Sequence, residues 1–240
     1  MVFMIAATWP DEIKSASGYV SDGSHNGDRP DGSPDPSANK GYSDKLRHKY
    51  WHFIDTPFTT DGTAPLPTIP NPNAQERIAL FRGALGSGAD DSLKSYDLVW
   101  LLHLVGDVHQ PLHCTTRVSI TDTEGDSGGN RVSLGSGNLH AYWDDLPGTG
   151  KPASVFKGVI KAGKKLSAPD ATLAAISDEK TWIVESFQAA QQTVYQNPIG
   201  AGDGPFSLDA NYKTAAKKLA QERIALGGVR LANLINDNLK

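Results

Sequence analysis

The stretch Leu98-Val-Trp-Leu-Leu-His103-Leu-Val-Gly-Asp107-Val-His109-Gln-Pro111-Leu-His113 decides how this chain is read. It is strongly apolar at its start and predicts a helix running from Asp91 or Ser92 to about Cys114, central and buried on most sides. In such a helix His103 and Asp107 stand one turn apart, at i and i+4, and share a face. Pro111 bends or ends the helix, which lets His113 swing back toward that face. His109 points away from it and is read as bonding backbone and ordering the bend. Imidazole nitrogens and carboxylate oxygens are ligands that zinc accepts, and an ion needs three or four of them at one point. This segment supplies part of such a set.

Working outward, the opening Met1-Val-Phe-Met-Ile-Ala-Ala-Thr is apolar but has no basic region before it and runs directly into Trp9-Pro-Asp-Glu-Ile-Lys14. It is expected to be the last turns of a helix whose beginning is missing, and no signal peptide is visible. Residues 15–44, rich in Gly, Ser, Asp and Pro, read as a long polar surface loop. A short helical piece over Ser43 to Lys49 is expected next, followed by the extended or turn segment Tyr50-Trp51-His52-Phe53-Ile54-Asp55-Thr-Pro57. A second loop covers 58–72, a helix opens at Asn73, and 115–137 form a Gly-, Ser- and Thr-rich excursion. Asn138-Leu-His140-Ala-Tyr-Trp-Asp144 predicts a short helix, and amphipathic helices are expected near 151–166, 178–195 and 209–238. Strand-like alternation is nearly absent. The class is all-α, a single mainly helical domain over 1–240 with long loops.

Composition narrows the function. With 240 residues the chain can bury a sizeable core, and no apolar run approaches the roughly 20 residues of a membrane span. A net charge of −4 argues against duplex binding through a broad basic face. Bound divalent cations could supply the positive charge that side chains lack, so a nucleic-acid enzyme stays open. Cys114 is the only cysteine, so no intrachain disulfide can form; it reads as a small residue at a helix end.

Seven histidines are candidates for ligands. His25 lies in the polar loop and reads as solvated. His48, among Lys45, Arg47 and Lys49, reads as surface or supporting rather than coordinating. His140 and Asp144 repeat the i, i+4 spacing of His103 and Asp107. One such pair is more often an ion pair than a metal site. Two pairs, with His113 and His52, would be expensive to bury without a cation. Asp11, after Trp9-Pro10, would in isolation be read as a helix cap.

In their order, these segments resemble the zinc-dependent single-strand nucleases of the S1/P1 type, which share a superfamily with bacterial zinc phospholipase C. The resemblance runs from Ala7 to about Asn236. It rests on Thr-Trp-Pro-Asp11-Glu-Ile-Lys, Trp51-His52-Phe53-Ile54-Asp55, the His103–His113 segment and Gly-Gly-Asn130…Leu-His140-Ala-Tyr-Trp-Asp144. It continues through Trp182…Glu185-Ser186…Val194-Tyr195 and the closing helix.

The resemblance implies that Asp11, His52 and His103 hold one zinc, that Asp107 bridges it to a neighbour, and that His113, His140 and Asp144 hold another. A third zinc of the family needs an amino-terminal tryptophan and a nearby histidine; this sequence represents only two sites in full. Asp107 and Lys14 take the catalytic roles, Asp107 positioning the bridged pair and Lys14 meeting charge on the phosphoryl oxygens. Lys14 stands where fungal members usually carry arginine, keeping the charge but losing the bidentate fork. Phe53 and Asp55 match a base pocket, stacking on a nucleobase and accepting from its edge, with Asn130 beside them; alternatively Phe53 is core and Asp55 caps the turn before Pro57. The implied activity is endonucleolytic hydrolysis of single-stranded DNA and RNA to 5′-phosphate ends, with 3′-nucleotidase activity, by an exported monomer, secreted or periplasmic. A phospholipase C, or a helical metal-binding domain without catalysis, are the alternatives.

Overall fold

The computed structural model describes residues 2–23, 38–148 and 152–239. His25, with the rest of residues 24–37 of the loop expected at 15–44, lies outside the described residues. The chain opens with α1 (Val2–Ala6) and α2 (Trp9–Glu12), and a short strand β1 (Pro57–Thr59) precedes α3 (Ala74–Leu85) and α4 (Asp91–Asp107). Then come β2 (Thr116–Val118), α5 (Leu139–Asp145), α6 (Pro152–Gly163), α7 (Ala171–Ala174), α8 (Glu179–Ala189) and α9 (Ala210–Asn238). The mainly helical class expected from the sequence is what the structure has.

The helix starts follow from their first residues. Asn73 accepts from the backbone N–H groups of Gln75 and Glu76, Asp90 from Leu93, Asn138 from Ala141, Asp178 from Thr181 and Asp209 from Tyr212. Each such cap contributes about 1 kcal/mol by satisfying donors that the first turn leaves open.

Two boundaries differ from the sequence reading. The central helix stops at Asp107 rather than near Cys114; after a turn, Pro111–Cys114 forms a separate 3-10 turn. Proline has no N–H for the helical ladder, and the Gln110 side chain instead takes the Leu112 N–H at 2.6 Å. The helical piece expected over Ser43 to Lys49 is also displaced. Gly41–Ser43 and Lys49–His52 are 3-10 turns, with extended chain between them.

His48 sits at that second turn with φ +48, a left-handed conformation that costs a non-glycine residue roughly 1–2 kcal/mol. It is buried, not at the surface. Its Nδ1 bonds Asp22 at 2.9 Å, its Nε2 stands 2.9 Å from Asp44 Oδ2 as an ion pair, and its ring stacks on Trp51 with centroids 3.4 Å apart. Burial alone would pull its pKa down, but bonds to the two carboxylates outweigh it and the net shift is upward. This cluster fastens the chain on either side of the long loop just ahead of His52.

One core joins α3, α4 and α8 around Trp51, Phe81, Trp100 and Trp182. Another gathers Leu112, Leu139, Trp143, Val194 and Tyr212. Burying an indole removes about 200 Å² from water, or ~5 kcal/mol at about 25 cal/mol per Å². The segment 108–114 crosses from one core to the other: Val108 and Cys114 anchor in the first, Leu112 in the second. β1 and β2 pair in parallel, Pro57 opposite Thr116, and the Ile54 N–H bonds the His113 carbonyl at 2.8 Å. That pairing lays the His52 segment alongside the His113 segment.

Candidate metal centre

The last turn of α4 carries His103 and Asp107 on one face, with His103 Nε2 3.1 Å from Asp107 Oδ2. The 3-10 turn before Phe53 delivers His52, whose Nδ1 lies 3.0 Å from the same carboxylate oxygen and 2.8 Å from His103 Nε2. Asp11, on α2, completes the group with Oδ1 3.6 Å from His103 Nε2 and 3.9 Å from His52 Nδ1. On the far side of Asp107, His113 Nδ1 is 3.9 Å from its Oδ2. His113 Nε2 and His140 Nε2 each stand 3.4 Å from an oxygen of Asp144. Two clusters result, Asp11/His52/His103 and His113/His140/Asp144, each able to hold a metal ion. Asp107 lies between them.

Tautomers are set from behind. His103 Nδ1 meets the Ala7 carbonyl at 2.7 Å, His113 Nδ1 the His52 carbonyl at 2.8 Å, and His140 Nδ1 the Gly128 carbonyl at 2.8 Å. An imidazole that donates from Nδ1 presents an Nε2 lone pair, the usual arrangement behind a metal-ligating histidine. His52 is turned the other way: its Nδ1 faces the cluster and its Nε2 is buried without a hydrogen-bond partner among the described residues.

The electrostatics match. Burial drives His52 down to about 4, outweighing Asp107, so its ring is neutral. Burial also opposes charge on His113, yet Asp107 and Asp144 push it up to about 9. Asp107 is held well below the ordinary range against its burial, chiefly by His103 and His113. Asp11 and Asp144 are lowered as well. Three carboxylates thus make a negative field over converging imidazole nitrogens, a field that favours positive charge there, as a proton on His113 or as a bound cation. Asp11 and Asp144 are 60% and 46% exposed, so the clusters open to solvent.

A cavity of about 480 Å³ opens over both clusters. Lys14, Phe53, Asp55 and Asn130 line it together with His52, His113 and His140. Lys14 Nζ bonds Asp11 Oδ1 at 2.7 Å. Phe53 is half-buried, packed on the edge of the first core while still facing the cavity. Asn130 Nδ2 donates to the Ser127 carbonyl at 2.8 Å. His109 stands outside the site, bonded through Nδ1 to the Val105 carbonyl at 2.7 Å and through Nε2 to Arg230 at 3.1 Å. Cys114 is buried and donates to the Val108 carbonyl.

Several supporting residues escaped the sequence reading. Gln110 Nε2 donates to Asp144 Oδ1 at 2.9 Å, and its place inside His-Gln-Pro-Leu-His was the available signal. Asp126 accepts from the Arg117 and Gly129 N–H groups and from the Tyr195 hydroxyl, folding the loop that carries Gly128 and Asn130. Arg223 bonds the His109 carbonyl, and Arg223 and Arg230 share Glu185. Asp126 and the arginines gave no local signal, since their partners lie some 40 to 120 residues away in sequence for all but the nearest bonds.

The S1/P1 nuclease family model matches this chain over residues 1–240. The chain belongs to that family. Among curated relatives, Endonuclease 4 of Arabidopsis thaliana is 26% identical over 161 residues, which is 58% of this chain and 49% of the relative. Endonuclease 2 of the same plant is 27% identical over 156 residues, and Endonuclease 3 is 27% identical over 161. The chain spans about half the length of the curated relatives it matches. Family membership agrees with the helical architecture and with a site of histidines and aspartates able to hold metal.

Proposed function

We propose that the protein is a zinc-dependent phosphodiester hydrolase, an endonuclease acting on single-stranded DNA and RNA to leave 5′-phosphate ends, with 3′-nucleotidase activity. The observation that carries the reading is the ligand geometry. A tetrahedral zinc with ligands at about 2.0–2.2 Å separates its ligand atoms by about 3.3–3.6 Å. The Asp144 oxygens stand 3.4 Å from His113 Nε2 and from His140 Nε2, and Asp11 Oδ1 is 3.6 Å from His103 Nε2, whereas His52 Nδ1, 2.8 Å from His103 Nε2 and 3.9 Å from Asp11 Oδ1, would shift by about half an ångström to join them. The anchoring of three imidazoles through Nδ1 supports the same ion.

Asp11, His52 and His103 would hold one zinc, His113, His140 and Asp144 the other, with Asp107 bridging from the first site toward its neighbour. When bound, zinc supplies Lewis acidity toward phosphoryl oxygens and brings the ionisation of water near neutral pH. The protein's own groups then orient the substrate. Asp107 sets the spacing of the first site against its neighbour. Lys14, steered by Asp11, presents an ammonium to the charge that develops on the phosphoryl oxygens. Phe53 offers a face on which one base stacks, worth about 1–3 kcal/mol and tolerant of sequence, which favours unpaired strands. Asp55 and Asn130 supply an acceptor and an amide toward the base edge.

The test compares hydrolysis of denatured DNA, RNA, duplex DNA, a 3′-mononucleotide and phosphatidylcholine by zinc-loaded protein. Turnover of the single strands and the 3′-nucleotide, lost on chelation and restored by zinc, is the expected result. Turnover of lipid alone, or zinc binding without hydrolysis of any substrate between pH 5 and 8, would refute it.

A further inference from the structure

Three cationic side chains line the cavity above the metal clusters, and they are not equivalent. Lys14 is held by Asp11 at 2.7 Å. Arg131 is held by Asp122, with Nη1 3.0 and 3.2 Å from its two oxygens. Lys49 lines the same cavity, yet its ammonium has no carboxylate or hydrogen-bond partner among the described residues. The shortage is not general, because acidic residues outnumber basic ones, 27 to 23. Lys49 is half-buried, at the start of the 3-10 turn that ends in His52. An ammonium on the cavity wall with no carboxylate beside it is open to pair with an anion that enters the cavity.

The scissile phosphate is already provided for by the two clusters and Lys14. Lys49 bonds none of the ligand side chains, and it shares the cavity wall with Phe53 and Asp55. We propose that Lys49 is a specificity-determining residue that holds a second phosphate of the strand, flanking the one being cleaved. This rests on the nuclease reading above. It makes the enzyme favour linkages that carry a neighbouring phosphate over an isolated one.

The test uses zinc-loaded wild type, Lys49→Ala and Lys49→Arg on three substrates: a dinucleoside monophosphate, whose single phosphate is the scissile one, and the same compound bearing an added 5′- or 3′-phosphate. For wild type, at least one added phosphate should raise kcat/KM about 10- to 100-fold, as a charged hydrogen bond would, chiefly through KM. Lys49→Ala should abolish that gain while leaving the plain dinucleotide within about twofold, and Lys49→Arg should retain it. On a longer single strand, the slope of log kcat/KM against log salt should become shallower by about 0.7 in Lys49→Ala, the loss of one phosphate contact. Metal content and melting temperature should be unchanged, as expected for a side chain with no internal partner. A gain that survives in Lys49→Ala, no gain in wild type, or an equal loss on all three substrates would overturn the proposal. Wild type inactive on every substrate would instead bring down the nuclease reading on which it rests.

Discussion

Gly128→Ala should break the second metal cluster from behind. Gly128 has φ +60, and a Cβ there would lie 2.4 Å from the Leu112 carbonyl oxygen, 3.3 Å from that of Thr115 and 3.4 Å from His140 Nδ1. The nearest atom is backbone, in the 3-10 turn that also carries His113, so neither side yields without moving a ligand. Left-handed backbone costs an alanine about 1–2 kcal/mol. Relieving the contact means shifting the loop by more than half an ångström, which loosens the 2.8 Å bond from His140 to the Gly128 carbonyl and adds about 1–2 kcal/mol. The sum is about 3 kcal/mol, or a melting point lowered by about 6–12 °C in a chain of this size. Thermal unfolding by circular dichroism with chelator present isolates this term, and calorimetric zinc titration then reads the second site, whose affinity should fall about 10- to 100-fold. A variant that melts within 1 °C of wild type and binds zinc as tightly would show that the Gly128 carbonyl does not orient His140.

The Asp22–His48–Asp44 cluster should give a pH signature. His48 has a raised pKa in the folded protein, so its contribution is complete below about 6.5 and is lost as pH rises through the folded value. Asp22 and Asp44 have lowered values, so theirs is lost only at acid pH. The stability advantage of wild type over His48→Gln, by urea denaturation, should therefore shrink between pH 6 and 9; an advantage constant over that range would contradict a charged His48. Glu185→Ala strands Arg223 and Arg230 without their shared carboxylate and should cost about 3–5 kcal/mol; a loss under 1 kcal/mol would show that the pair is solvated instead. Asp107→Asn keeps the shape of the side chain but removes its charge, and should lower hydrolysis of denatured DNA at least about 100-fold. Activity within tenfold of wild type would exclude Asp107 as the bridging group.

Much of the candidate site was legible because its histidines and aspartates come in short local patterns. The i, i+4 spacing places His103 with Asp107 and His140 with Asp144 on any helix, and Asn138 and Asp90 announce where those helices begin. Pro111 ended the helix as its missing donor requires, only earlier than expected. The 3-10 turns at Gly41–Ser43 and Lys49–His52 carry too few residues for periodicity to register. His48 looked like a surface residue because its neighbours in sequence are basic; the carboxylate of Asp22 that buries it lies 26 positions away. Likewise Lys49 resembles any exposed lysine until the cavity around it is seen.

The central claim is that seven side chains from Asp11 to Asp144 converge on bound zinc. The most direct measurement is anomalous diffraction at the zinc absorption edge from crystals of the zinc-loaded protein. Peaks within about 2.0–2.2 Å of the Asp11, His52 and His103 ligand atoms, and of those of His113, His140 and Asp144, are the expected result. Clusters without density, or zinc bound only elsewhere on the chain, would contradict it.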